Sequence, residues 1–163
     1  ARAPEVNLED KSECTADLEK VLNAQDVFVP LKVDVGPNWL VARVERADEL
    51  YALRPDDLPL AAYSERWGVI GSTVYALDDE ESVHVRSFAP RHGIHEDPVC
   101  GSGNLAVAAH IRHTGLLDVV GESYTAQQGR AVGHQGRVHI QFEGDEIWLR
   151  GTCRTIVSGT ITI

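Results

Sequence analysis

"NLAVAAHIRH", residues 104–113, decides the fold. Through Ala109 this stretch is apolar around most of a helix circumference, not along one stripe. A helix with that pattern is surrounded by protein. It follows a Gly-Ser-Gly turn and meets Gly115, which predicts a helix over roughly residues 102 to 114. Strand-like segments lie on both sides of it, about eight in all by their alternation and turn signals. A sheet curled around a central helix satisfies both signals. The predicted class is α+β: a curved, mostly antiparallel sheet wrapped around that helix, with the glycine turn opening into its centre.

Working outward, residues 1–14 read as a polar, proline-interrupted linker, followed by the helical "TADLEKVLNAQ" with Thr15 as its N-cap. "DVFVPLKVDVG" and "NWLVARVE" alternate as strands about a Gly36-Pro37 turn. Residues 47–68 predict a short helix, a break at Pro55 and a second helix closed by Gly68. "VIGSTVYAL" and "VHVRSFA" predict an antiparallel hairpin, with the acidic "DDEES" as its solvated turn. After the central helix, "SYTAQQG", "GRVHIQF", "EIWLRGT" and "TIVSGTITI" all read as strands.

The chain has 163 residues, 43% apolar and 25% charged, which fits one soluble globular domain with a real core. Its net charge of −10 argues against nucleic-acid or anionic-membrane partners. No apolar run approaches the roughly 20 residues that span a bilayer. The three cysteines are widely spaced and form no CxxC pair, so neither zinc nor a disulfide framework is expected, and a cytoplasmic location is the simplest. There is no methionine, so Ala1 is expected to follow a trimmed initiator or to lie inside a longer chain.

The chemistry concentrates in "GIHEDPVCGSGN", residues 93–104. Glycines allow a ligand close to the backbone, and free N–H groups at a helix N-terminus suit a carboxylate or phosphate. Cys100, at the positive end of the helix dipole, gains thiolate character if exposed. Glu96 and Asp97 precede it, with Pro98 stiffening the turn. The plainer reading is a tight helix entry with a serine N-cap and a small core cysteine.

"FAPRHGIHEDPVCGSGNLAVAAHI" resembles the signature of the PhzF-type, phenazine-biosynthesis-like proteins: F-x-P, then G-x-x-E-D-P, then T-G-S before a helix. "QQGRAVGHQGRVHI" resembles that family's second signature, and order and spacing agree from about Val33 to Ile163. The resemblance implies a diaminopimelate-epimerase-like fold of two similar halves, with the active site between them. It implies cofactor-independent proton transfer on a small carboxylate-bearing metabolite. Carried over by motif, Asp97 takes part in proton transfer or holds a polar group of the substrate, and Glu96 contacts the substrate. Ser102 and the backbone of Gly101 and Gly103 bind the carboxylate.

Two residues depart from the pattern. Cys100 stands where the PhzF-type proteins have Thr, and "CGSG" is instead the form of diaminopimelate epimerase and proline racemase relatives. Cys100 is therefore either a second acid/base group or a small loop residue. His134 stands where the family tends to place Arg. The larger departure is length, since the family's chain is close to twice this one. Residues 1–32 resemble the tail of a first half plus a connector helix, and residues 33–163 the C-terminal half. A complementary N-terminal half, on a separate chain or a cleaved fragment, is the expected partner in an oligomer. The alternatives are a non-catalytic binding or assembly module and a two-base racemase using Cys100.

Other constellations are weaker. His110 and His113 are spaced i, i+3 on the helix, and His92 and His95 flank the loop, but a zinc site needs three or four converging ligands. His84 and His139 alternate to the polar side of their strands and are expected to be solvated. No G-x-S-x-G elbow suggests a serine hydrolase. Trp39, Trp67 and Trp148 fit core or interface positions.

Overall fold

The computed structural model describes residues 1–78 and 82–162. The strands are β1 (Asn7–Asp10), β2 (Leu31–Asp34), β3 (Asn38–Arg43), β4 (Gly71–Leu77), β5 (Val83–Ala89), β6 (Ile94–Asp97), β7 (Ser123–Gln128), β8 (Gly136–Glu143) and β9 (Glu146–Arg150). The helices are α1 (Thr15–Leu22), α2 (Ala47–Ala52), α3 (Asp57–Trp67), α4 (Gly101–His113) and α5 (Leu117–Val120). One sheet runs β1-β2-β3-β4-β5-β7-β8-β9, with β6 paired to β5. Only β3–β4 and β5–β7 are parallel among these pairings.

The central helix is where its sequence placed it. α4 is buried from Gly103 through Ile111, and the sheet curls around it. Val33, Trp39, Val41, Val85, Val138 and Ile147 come from strands spread across the whole sheet to pack in that core. Residues 1–3 then lie along β9, with Ala3 N–H donating to Ile147 O at 2.8 Å and Leu149 N–H to Ala1 O at 2.8 Å. β1 pairs with β2 at the opposite edge. The first ten residues thus join the two edges of the sheet.

A second core lies on the outer face. Leu18, Leu22, Leu50 and Leu60 of α1, α2 and α3 pack on Leu40, Val74 and Phe88. Each such buried side chain contributes about 2 kcal/mol. This layer explains why β5 is buried at every position, whereas β8 alternates between buried and solvent-facing residues. The outer helices cover the middle of the sheet and stop before β8.

Several expectations need correction. The polar segment 1–14 contains β1, because an edge strand takes its register from its partner and not from its own apolar pattern. Thr15 is the first residue of α1, with Cys14 at the N-cap, and its hydroxyl donates to Ser12 O. "IHED" is the short strand β6. "TIVSGTITI" forms no strand over residues 155–162, where Ile156, Val157 and Ile161 are each 88% exposed. His84 is buried beneath α2, not solvated, while His139 is exposed as expected. The β4–β5 hairpin forms with Leu77 opposite Val83, and residues 79–81 of its acidic turn lie outside the described residues. Gly68 ends α3 at a left-handed φ of 63°.

Candidate active site

β6 delivers the loop to the N-terminus of α4. Asp97 pairs with Ser87 and Ile94 with Ala89, so an irregularity sits between them, at the point where the strand turns toward the helix. Adjacent strand residues face opposite sides, and this separates Glu96 from Asp97. The Glu96 carboxylate is bound by Arg86 Nε at 3.1 Å and Nη2 at 2.7 Å, deep in the outer layer. Arg86 Nη1 also donates to Leu50 O and Leu53 O, at the end of α2. Glu96 therefore anchors a helix, and the structure does not bring it to the loop with the other residues.

Asp97, Cys100 and Ser102 do come together. Asp97 Oδ1 accepts from Val99 N–H at 2.9 Å, which holds the carboxylate at the rim. The Cys100 sulfur is 3.7 Å from Ser102 Oγ and close enough to Asp97 for that carboxylate to act on its thiol. Burial pushes the Cys100 thiol above its ordinary value, with Asp97 adding to the rise. The exposure required for thiolate character is absent, since Cys100 is 6% exposed. The N-cap is Cys100, not Ser102: its sulfur accepts from Gly103 N–H at 3.3 Å.

That cap decides which donors remain. Gly103 N–H is taken by the sulfur and Asn104 N–H by Cys100 O. Among the described residues, no protein acceptor engages the N–H groups of Gly101 and Ser102. These two donors, at the positive end of a 13-residue helix, can bind an anion. Gly103 has a different duty. A Cβ there would lie 2.7 Å from Ser87 Oγ and 3.0 Å from Thr73 Oγ1, so only glycine lets the helix seat on these strands.

The profile of the family described as phenazine biosynthesis-like protein matches residues 2–161. The chain belongs to that family. Antisense-enhancing sequence 1 of Schizosaccharomyces pombe is 30% identical over 141 residues, covering 83% of this chain and 47% of that protein. An uncharacterized isomerase of the same yeast is 25% identical over 93% of this chain and 89% of its own length. Among solved structures, a phenazine biosynthesis PhzC/PhzF protein from Clostridium difficile superposes with a TM-score of 0.70 at 16% identity, over 99% of this chain and 57% of that one. A predicted epimerase from Pseudomonas aeruginosa gives 0.62 at 22% identity, over 93% and 56%. Those two show the fold, a mixed α/β structure with a curled sheet. The PhzF-like chain spans about half the length of Antisense-enhancing sequence 1 and of both solved chains.

Three residues that sequence reasoning missed hold the PhzF-like loop in shape. Gln128, 2% exposed, accepts from Cys100 N–H at 3.1 Å and from Asn104 Nδ2 at 2.7 Å, and donates to Asp97 O at 2.8 Å. Asn104 Nδ2 also reaches Cys100 O. Trp39 Nε1 donates to Ser102 Oγ at 3.0 Å, directing that hydroxyl's own proton elsewhere. The second signature turn packs against the first: a Cβ on Gly129, at φ 92°, would lie 2.6 Å from Pro98 O. Gln128 stands inside that signature, which was the one available signal. The histidines serve separate contacts, His95 with Asp57 and His139 with Thr125, while His134 packs by Gly129.

Proposed function

We propose that this PhzF-like chain is the C-terminal half of a cofactor-independent isomerase or epimerase that moves a proton on a small carboxylated metabolite. The reading rests on one observation: Asp97, Cys100 and Ser102 converge beside two open N–H donors at the α4 N-terminus. The names isomerase and epimerase among the relatives support the reaction class. The substrate carboxylate accepts from Gly101 and Ser102 N–H, where the helix end favours an anion by up to about 1 kcal/mol. Ser102 Oγ, oriented by Trp39, donates to the same group. Asp97 at the rim exchanges a proton with the substrate. Cys100, kept as a neutral thiol by burial, acts as a proton donor and not as a resting thiolate.

A carbon acid needs a base on one side and an acid on the other. The second group comes from a complementary N-terminal half, in a diaminopimelate-epimerase-like arrangement. Ile94, Val99 and Val132 support that partner: each is at least 37% exposed, on β6, on the loop and on the turn after Gly129. Covering them excludes water from the loop and removes apolar surface from solvent.

The test is proton exchange in D₂O. The chain purified with its complementary half is expected to wash deuterium into a carboxylated substrate at carbon, and Asp97→Asn to abolish it. A lone 17.8 kDa species with no partner and no exchange would sink the reading. Cys100→Ser separates the two uses of the thiol. Lost exchange makes it a proton-transfer group, and retained exchange leaves the work to Asp97.

A further inference from the structure

A second polar concentration lies on the outer face of the sheet. Strand register sets His84 of β5 opposite Gln127 of β7, and Gln127 opposite Arg137 of β8. All three point away from α4, because their neighbours Val83, Val85, Ala126 and Val138 belong to the core around it. One end of the row lies under α2 and the other runs out where the helical layer stops.

The covered end is tightly held. His84 Nε2 is 2.7 Å from Asp78 Oδ2 and His84 Nδ1 is 2.9 Å from the Tyr51 hydroxyl. With Nε2–H donating to the carboxylate, Nδ1 accepts and Tyr51 O–H donates. The Tyr51 ring is thereby fixed, and the Arg130 guanidinium stacks on it at 4.9 Å from the centroid. Tyr51, His84 and Asp78 are positioning residues for Arg130.

The open end is a cleft. Two cavities meet at Tyr51 and Arg130, one of about 250 Å³ reaching Gln127, His134 and Arg137, the other of about 500 Å³ reaching Asp78 and His84. Among the described residues, none in the lining of the smaller is acidic. In the larger, Asp48 is bound by Arg46 and Asp78 by His84. Among the described residues neither Arg130 nor Arg137 makes an ion pair, although the chain carries 25 acidic residues against 15 Lys and Arg. Two guanidinium groups without an ion-pair partner among the described residues, lining one small cavity in so acidic a protein, mark an anion site. Two forks, with the Gln127 amide beside them, match a dianion with several acceptor oxygens better than a single carboxylate.

We propose that this cleft is a second binding site, for a small phosphate-bearing molecule, with Arg130 and Arg137 as its charge partners. Its arginines stand on the face of the sheet opposite α4, although Gln128 lines it too, and it does not depend on the proton-transfer reading.

The test is a titration followed by amide and guanidinium NMR at constant ionic strength, with inorganic phosphate, glycerol phosphate and acetate as probes. Phosphate is expected to give saturable shifts confined to residues 51 and 127–137, and acetate to leave them in place. Arg130→Ala and Arg137→Ala, both at exposed positions, are each expected to weaken phosphate about tenfold. Tyr51→Leu and Tyr51→Phe both lose the hydrogen bond to buried His84 and are expected to lower the melting temperature alike, but only Tyr51→Leu, which removes the ring under Arg130, is expected to weaken phosphate strongly. Tighter glycerol phosphate identifies an organic phosphate as the occupant, and tighter inorganic phosphate identifies the free ion. The proposal is overturned if acetate and phosphate shift the same amides equally, if the shifts centre on residues 100–103, or if the double arginine variant binds phosphate as the parent does.

Discussion

The two ends of α4 are built on opposite plans. At the C-terminal end the helix carbonyls are covered: Thr114 Oγ1 donates to His110 O at 2.8 Å, Leu116 N–H to Ile111 O and Gly115 N–H to Arg112 O, while the Arg112 side chain ties the helix to the carbonyls of Gly144, Asp145 and Glu146 in the β8–β9 turn. The Arg112 guanidinium also stacks on Phe142 at 5.0 Å. At the N-terminal end side chains brace the backbone, but two N–H donors are left without a protein acceptor among the described residues, beside the Ser102 hydroxyl, the Asp97 carboxylate and the buried Cys100 thiol. The same helix is thus closed at one end and left open at the other, where the proposed chemistry would take place. Substitutions at the open end should change activity more than stability, and those at the closed end the reverse.

The sharpest separation is expected from Asp97→Asn. Proton exchange by the assembled protein should fall about a thousandfold, the scale of a lost general acid–base group. The melting temperature should hold, because the amide keeps an oxygen for Val99 N–H. A comparable loss in both measurements would erase the distinction between the ends.

Next in size is a pH effect near the closed end. Burial lowers the His110 pKa from 6.5 to about 4, with Tyr75 O–H meeting its Nδ1 at 2.9 Å. The unfolded chain takes up a proton near pH 6.5 and the folded one only near 4. Stability is therefore unaffected above 6.5, declines as pH falls through that window, and levels off below it. The total is about 3 kcal/mol. Urea unfolding across pH 4 to 7 reads this slope, and His110→Gln should flatten it.

Gln128→Leu tests the brace of the open end. It strands Cys100 N–H, one Asn104 donor and Asp97 O in a buried site, at a cost of about 2 kcal/mol. Exchange activity should fall as well, since the loop loses its shape. Chemical denaturation with activity measured on the same samples shows whether both move. The smallest effect is expected from Arg112→Ala: about 1 kcal/mol of stability, because the stranded carbonyls are near solvent, with exchange unchanged.

What could be read from residues alone follows from where the information lies. The envelope of α4 was visible in Leu105–Ala109, because burial on all sides leaves an apolar record around the whole helix. That Asp97 and Ser102 meet at the start of α4 was visible because a loop entering a helix fixes local spacing. Gln128 and Trp39 were not, since a brace 24 residues or more from what it holds leaves no local pattern. His84 was misread for a related reason: strand alternation shows which face a residue takes, not whether a helix covers that face. Residues 155–162 were misread as a strand because β-pattern requires a partner edge, and residues 1–3 already lie along β9. Glu96 was grouped with Asp97 by adjacency, though adjacency in a strand places two side chains on opposite faces.

The joining of the sheet's two edges by residues 1–10 has a consequence for solubility. Unpaired strand edges are templates for neighbouring molecules. Here one short segment screens both β2 and β9 from that fate. A protease that trims those residues, or a fusion that pulls them away, would bare two edges at once and favour edge-to-edge aggregation.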